Sequence, residues 1–269
     1  MSANGCRKQP NRFLAPAGLH REEGPFGNDE RVSCKRRSVM YILRMPRAIR
    51  PTIFIATLIA LSNPALAETR MCANELVTAH SQDSSLLPAM CAASDRALAL
   101  FDKCGLAPSG PVEITISELT GQSCLGLFHC GEARIEVLAP SAIDSQRSTI
   151  GVFNTLSTPR LFESIIVHEM AHAAMDQTPC PYDNCVATEE YFAYGAQLLD
   201  LSEQEREQVL RDETPASRIT HDEINAFVLY MAPDIFVEKV WGHVSRSADV
   251  CGQLQRVQDG SLIFDRFHP

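Results

Sequence analysis

"SIIVHEMAHAAMDQ", residues 164–177, sets two histidines and a glutamate inside an otherwise apolar run. Leu161, Phe162, Ile165, Ile166, Met170 and Ala173 recur at helical spacing, and Pro159 suits a first helical turn. A buried helix is therefore predicted from Pro159 to about Asp176. Imidazole and carboxylate groups are costly to bury without partners. At about 100° per residue, His172 lies about 40° around the helix from His168 and one turn further on. Both rings can then face one ion, with Glu169 about 60° from His172 on the flank of that face.

An ion held there would bring the pKa of a bound water towards about 7, and Glu169 would take its proton and pass it to a leaving group. Zn2+ is the expected cofactor, because paired imidazoles with a carboxylate suit it and it needs no redox partner. Two histidines leave the site incomplete, so a third protein ligand is required. Asp176, one turn past His172, is expected to support the ligands rather than join them, and Asp183 sits in a loop. Glu189 and Glu190 open the next predicted helix, in "ATEEYFAYGAQ" (187–197).

His168-Glu169-Met170-Ala171-His172, followed by a glutamate on the next helix, resembles the gluzincin branch of the zincin metallopeptidases, the thermolysin-like and neprilysin-like enzymes. The resemblance covers about residues 161–199. It implies a small zincin-like domain, a zinc-dependent hydrolysis of peptides, and Glu169 as general base. In that branch the third ligand commonly opens E-x-x-A or E-x-x-S, whose small residue lets two helices approach. Glu190-Tyr191-Phe192-Ala193 fits, which selects Glu190 over Glu189. The metzincin pattern is not met, since Met175 and Thr178 stand where its Gly and third His belong.

Many gluzincins carry an Asp four residues after the ligand glutamate to brace a histidine. This chain has Tyr194 there, so Asp176 or Tyr194 itself is expected to serve. The resemblance also implies a Tyr or His donor for the oxyanion formed during hydrolysis, with Tyr182, Tyr191, Tyr194, His221 and His243 as candidates. It further implies an edge strand ahead of the active-site helix, along which an extended substrate pairs; residues 134–138 are the natural counterpart.

Around this centre the pattern predicts a helix over 73–103 and strands at 112–116, 125–128 and 134–138. The last is expected at a sheet edge, because Ala139-Pro140 stops it and Pro cannot donate to a ladder. Helices are predicted at 188–201, at 202–212 with a Ser202/Glu205 capping box, and at 221–244. Strands first and helices afterwards predict an α+β domain with a short, mostly antiparallel sheet.

"MPRAIRPTIFIATLIALSNPALA" (45–67) reads as a signal peptide, with Arg47 and Arg50 before an apolar run and Ala65-Leu66-Ala67 as cleavage site. The apolar run is too short to span a bilayer, so no membrane anchor is expected after cleavage. Residues 1–44 are expected to be a non-native or disordered extension, and 68–269 a single domain. Residues 1–67 carry eleven Lys/Arg against four Asp/Glu, a net of +7; residues 68–269 carry thirteen against twenty-nine, a net of −16. So acidic a chain disfavours nucleic acid as a partner.

Eight of the ten cysteines follow the cleavage site, an even number that fits disulfides in the periplasm or outside the cell. Cys124–Cys130 and Cys180–Cys185 are the expected short-range pairs. The leading expectation is an exported zinc metallopeptidase. The alternatives are a non-catalytic, disulfide-stabilised binding protein on the same scaffold, or a zinc amidase acting on a cell-wall bond.

Overall fold

Period-two alternation shapes the first part of the domain and helical spacing the rest. The computed structural model describes residues 67–119, 124–182, 184–210 and 219–265, all within one compact unit. The N-terminal extension, the signal segment as far as residue 66, and Asp183 lie outside the described residues. The strands are β1 Glu68–Met71, β2 Val77–Ser81, β3 Val112–Ile116, β4 Gly126–His129 and β5 Arg134–Val137. The helices are α1 Leu87–Lys103, α2 Pro140–Ser145, α3 Thr158–Met175, α4 Val186–Asp200, α5 Glu203–Leu210, α6 Ala226–Met231, α7 Pro233–Val244 and α8 Val250–Gln258. The domain is α+β, as the order of patterns predicts.

The sheet runs β1-β2-β3-β5-β4. Its outer pairs, β1/β2 and β4/β5, are antiparallel, whereas β2/β3 and β3/β5 are parallel. It is thus evenly mixed rather than mostly antiparallel. A helical crossover explains the first parallel pair: α1 carries the chain from β2 back to β3. The strand at 134–138 is not at the edge. β5 sits between β3 and β4, and β4 is the edge strand. Pro140 places no constraint on the ladder because it lies beyond the strand, in the first turn of α2.

Two further expectations are corrected. The helix expected over 73–103 begins only at Leu87. Ahead of it, Val77, Ala79 and Ser81 are buried while Thr78 and His80 are half-buried, the alternation of a strand. Asn74 accepts hydrogen bonds from the Leu76 and Val77 amides at 2.8 and 2.9 Å and turns the chain into β2. Residues 221–244 form not one helix but a short 3-10 turn followed by α6 and α7. The break falls at Ala232-Pro233, where the ring suits the first turn of α7 but not the interior of a longer helix. The Ser202/Glu205 box does form, with Ser202 N donating to Glu205 Oε2 at 2.8 Å.

Thirteen of the eighteen residues of α3 are buried, which makes it a central helix rather than an amphipathic surface one. It packs against α1, α2, α4 and β4. At the far end of α4, Asp200 accepts from Arg96 of α1 at 3.0 Å and meets Arg160 of α3 at 2.8 Å, fastening the three helices together.

Cys72–Cys91 ties the end of β1 to α1, Cys104–Cys251 joins the end of α1 to α8, and Cys180–Cys185 closes the loop between α3 and α4. The expected Cys124–Cys130 pair is not among the disulfides of the described residues. Cys104–Cys251 spans 147 residues and restricts the unfolded chain most, by roughly 5 kcal/mol. Such bonds fit an oxidising compartment. Among the described residues, no helix is long and apolar enough to cross a membrane.

Candidate metal centre

α3 presents His168 and His172 one turn apart, and α4, just past its first turn, brings Glu190 to them. The two Nε2 atoms are 3.2 Å apart. Glu190 Oε2 lies 3.5 Å from His168 Nε2, and its Oε1 lies 3.7 Å from His172 Nε2. A tetrahedral zinc with bonds of about 2.0–2.1 Å would have ligand atoms roughly 3.3 Å from one another. The three side chains, whose donor atoms all fall within 4.8 Å of one another, can therefore hold a metal ion. The pocket also favours positive charge. Burial by itself would depress the His168 imidazolium, but hydrogen bonding and attraction from Glu190 turn the net shift upward.

His168 is oriented by a chain of buried groups. Its Nδ1 lies 3.1 Å from Gln197 Oε1, which can only accept, so Nδ1 carries the proton and Nε2 offers its lone pair. Gln197 Nε2 in turn donates to Ser164 Oγ at 3.1 Å, and that hydroxyl donates to the Leu161 carbonyl at 2.9 Å. Every member is satisfied, so the ring is held by its environment before any ion arrives. Gln197→Leu should weaken zinc binding by about 10- to 100-fold in competition with a chelator. Unchanged affinity would reduce Gln197 to a packing role.

Glu169 lies beside the metal-binding face and is 4% exposed. Burial pushes its carboxyl up to about 7, against the attraction of His168 and a backbone hydrogen bond from Phe128. A carboxyl in that range can both accept and return a proton near neutral pH. The edge strand β4 runs directly over it. A Cβ at Gly126 would stand 2.6 Å from Glu169 Oε1 and 2.9 Å from Ile165 Cγ2, so this position requires glycine. Glu169, His168, Tyr194 and Gln197 share the wall of a cavity of about 30 Å3, room enough for a water molecule.

Tyr194 lies against the centre, its ring 4.7 Å from that of His168 and stacked on Phe153. Burial, reinforced by Glu190, Glu169 and Asp234, raises its phenol well above the usual range, so it stays protonated as a hydrogen-bond donor. Asp176 is placed otherwise: its Oδ1 accepts from Gly131 N at 2.9 Å and braces the β4–β5 turn. His221 belongs to a separate cluster, stacked on Phe264 with Nε2 2.8 Å from the Ile263 carbonyl. Tyr191 and His243 meet in that same cluster at 2.9 Å. Glu190, not Glu189, joins the histidines.

Sequence reading did not single out Gln197, Ser164 or Gly126. Gln197 had a usable signal, being an amide in an apolar run two turns beyond Glu190 and so on the same helix face.

Fold and site together define a small α+β domain with a buried His-His-Glu centre competent to bind a metal. The chain belongs to a family of unknown function, DUF6639, whose model matches residues 77–267. No curated protein and no solved structure matches it.

Proposed function

We propose that the chain is an exported, zinc-dependent metallohydrolase and, within that class, a peptidase of the gluzincin type. The observation that carries this reading is the spacing of His168 Nε2, His172 Nε2 and the Glu190 carboxylate, at 3.2 to 3.7 Å, with Glu169 on an adjoining cavity wall. The signal-like segment at 45–67 and the three disulfides among the described residues support export.

A zinc ion at this centre would supply a Lewis acid for acidifying water and polarising a carbonyl. Glu169 takes the proton from the attacking water and delivers it to the leaving amine. Tyr194, kept protonated and packed against the His168 ring, would serve as donor to the developing oxyanion. Gln197 fixes the His168 tautomer throughout. β4, the edge strand above Glu169, replaces residues 134–138 as the strand along which an extended peptide would pair.

The test is metal content together with cleavage of a mixed peptide library, with and without a chelator. About one zinc per chain and chelator-sensitive cleavage are expected. Zinc without peptide cleavage, but with release from a cell-wall amide, would make the protein an amidase. Zinc with no hydrolysis of either would leave a binding protein.

A further inference from the structure

We propose that the Cys180–Cys185 disulfide is a redox switch for the metal centre: closed, it holds Glu190 ready for zinc, and opened, it weakens the hold on the metal. This role rests on zinc binding by His168, His172 and Glu190 but not on peptide hydrolysis. Residues 176–185 connect α3, which carries both histidines, to α4, which carries the glutamate. The disulfide closes the second half of that connection, across a sequence separation of 5. Of the three disulfides among the described residues, it alone lies between the two ligand-bearing helices.

It is also the one that a thiol reaches most directly. Cys180 is exposed, whereas Cys72, Cys91 and Cys104 are buried and Cys251 is partly buried. Exposed disulfides are the labile and regulatory ones. Opening this bond would leave the fold standing, because so short a loop restricts the unfolded chain far less than Cys104–Cys251, which spans 147 residues. The exchange needs only a thiol reductant. One of its thiolates attacks Cys180 Sγ and releases Cys185 as a thiolate. A second displaces Cys180 from the mixed disulfide, and the reductant leaves as its own disulfide. Two electrons pass to the cysteines, and the two thiol protons follow them.

The link to the metal runs through the start of α4. Cys185 stands immediately before Val186, and its carbonyl accepts from Glu189 N at 2.9 Å, the first rung of the helix ladder. Glu190 is the next residue. Asp265 grips the Ala187 and Thr188 amides from outside the helix, so α4 does not unwind when the bond opens. The Cys185 backbone nevertheless loses its covalent tie to Cys180, and the direction in which the chain enters the first turn is no longer fixed. Locking a loop in its bound conformation raises affinity by removing the entropy that ordering would cost; opening it surrenders that gain. In a reducing cytosol the centre would therefore hold zinc weakly, and the disulfide would complete it in an oxidising compartment.

The experiment compares zinc affinity, by competition with a chelator, between the oxidised protein and Cys180→Ser/Cys185→Ser. The double variant removes the bond and leaves no thiol at these positions to bind zinc itself. Its affinity is expected to be weaker by roughly tenfold. Linkage demands the reciprocal effect: zinc should make Cys180–Cys185 of the unsubstituted protein harder to reduce by the same factor. That is read by thiol trapping and mass spectrometry across a series of glutathione buffers, with free zinc clamped by a metal buffer. Equal or tighter zinc binding in the double variant, or a reduction midpoint indifferent to zinc, would overturn the proposal alone. Zinc bound by neither form would overturn it together with the metal centre. If the serine variant fails to fold, the reduction midpoint of the unsubstituted protein decides.

Discussion

Glu169→Gln is expected to abolish hydrolysis while leaving about one zinc per chain. The substitution is nearly isosteric, so the amide fits the space that Gly126 leaves beneath β4. Its carbonyl oxygen can still accept the backbone hydrogen bond from Phe128. What disappears is the proton-accepting carboxylate, and a positioned general base contributes about 10²- to 10⁴-fold to rate. Metal binding should persist, because the ligand group consists of His168, His172 and Glu190 and does not include Glu169. An uncharged amide is also less costly to bury than an ionised carboxyl, so thermal stability is expected to hold. Measuring kcat on a peptide substrate beside zinc content separates the possibilities. Retained turnover removes Glu169 from the chemistry, while lost zinc makes it part of the metal-binding shell.

The parts of this centre that were legible in the sequence are those set by local geometry. His168, Glu169 and His172 lie within five residues, and the turn angle of a helix fixes their relative directions whatever surrounds them. Glu190 was within reach because it lies early in the next helix, with Ala193 behind it to allow close packing. The sheet order was not legible. β5 lies between β3 and β4, an arrangement decided by which edge covers α3 rather than by anything within 134–138. Residues 77–81 were hidden for another reason: Ala79 and Ser81 fill buried positions with small side chains, which weakens the alternation that marks a strand. Gln197 and Ser164 form a satisfied pair only after α3 and α4 have packed. Each looks unremarkable in its own helix.

The most distant contribution to the site comes from the last described residue. Asp265 is 8% exposed, and its carboxylate accepts from Ala187 N at 3.0 Å, Thr188 N at 2.9 Å and Thr188 Oγ1 at 2.8 Å. These are orphan donors of the first turn of α4, which any helix must satisfy from outside its own ladder. The residue at the N-cap cannot do it, because Cys185 is held in the disulfide with Cys180 and makes no side-chain cap. The Phe264 amide returns a hydrogen bond to Thr188 Oγ1 at 2.8 Å, and its ring stacks on Tyr191 at 4.1 Å, so Phe264 and Asp265 are docked on α4. A carboxylate there also meets the positive end of the helix dipole. Asp265→Ala would strand two buried N–H groups and a hydroxyl, a loss on the order of 3 kcal/mol. For a domain of this size that corresponds to a fall in Tm of roughly 6–12 °C. Because Glu190 follows Thr188 by only two residues on α4, zinc affinity is expected to fall as well, although Asp265 ligates nothing. Asp265→Asn, which keeps the shape and one acceptor oxygen, should recover part of both losses. Scanning calorimetry with a chelator titration reads the two effects. A Tm within about 2 °C of the parent would show that solvent satisfies the start of α4 equally well, and that Asp265 has no part in holding Glu190.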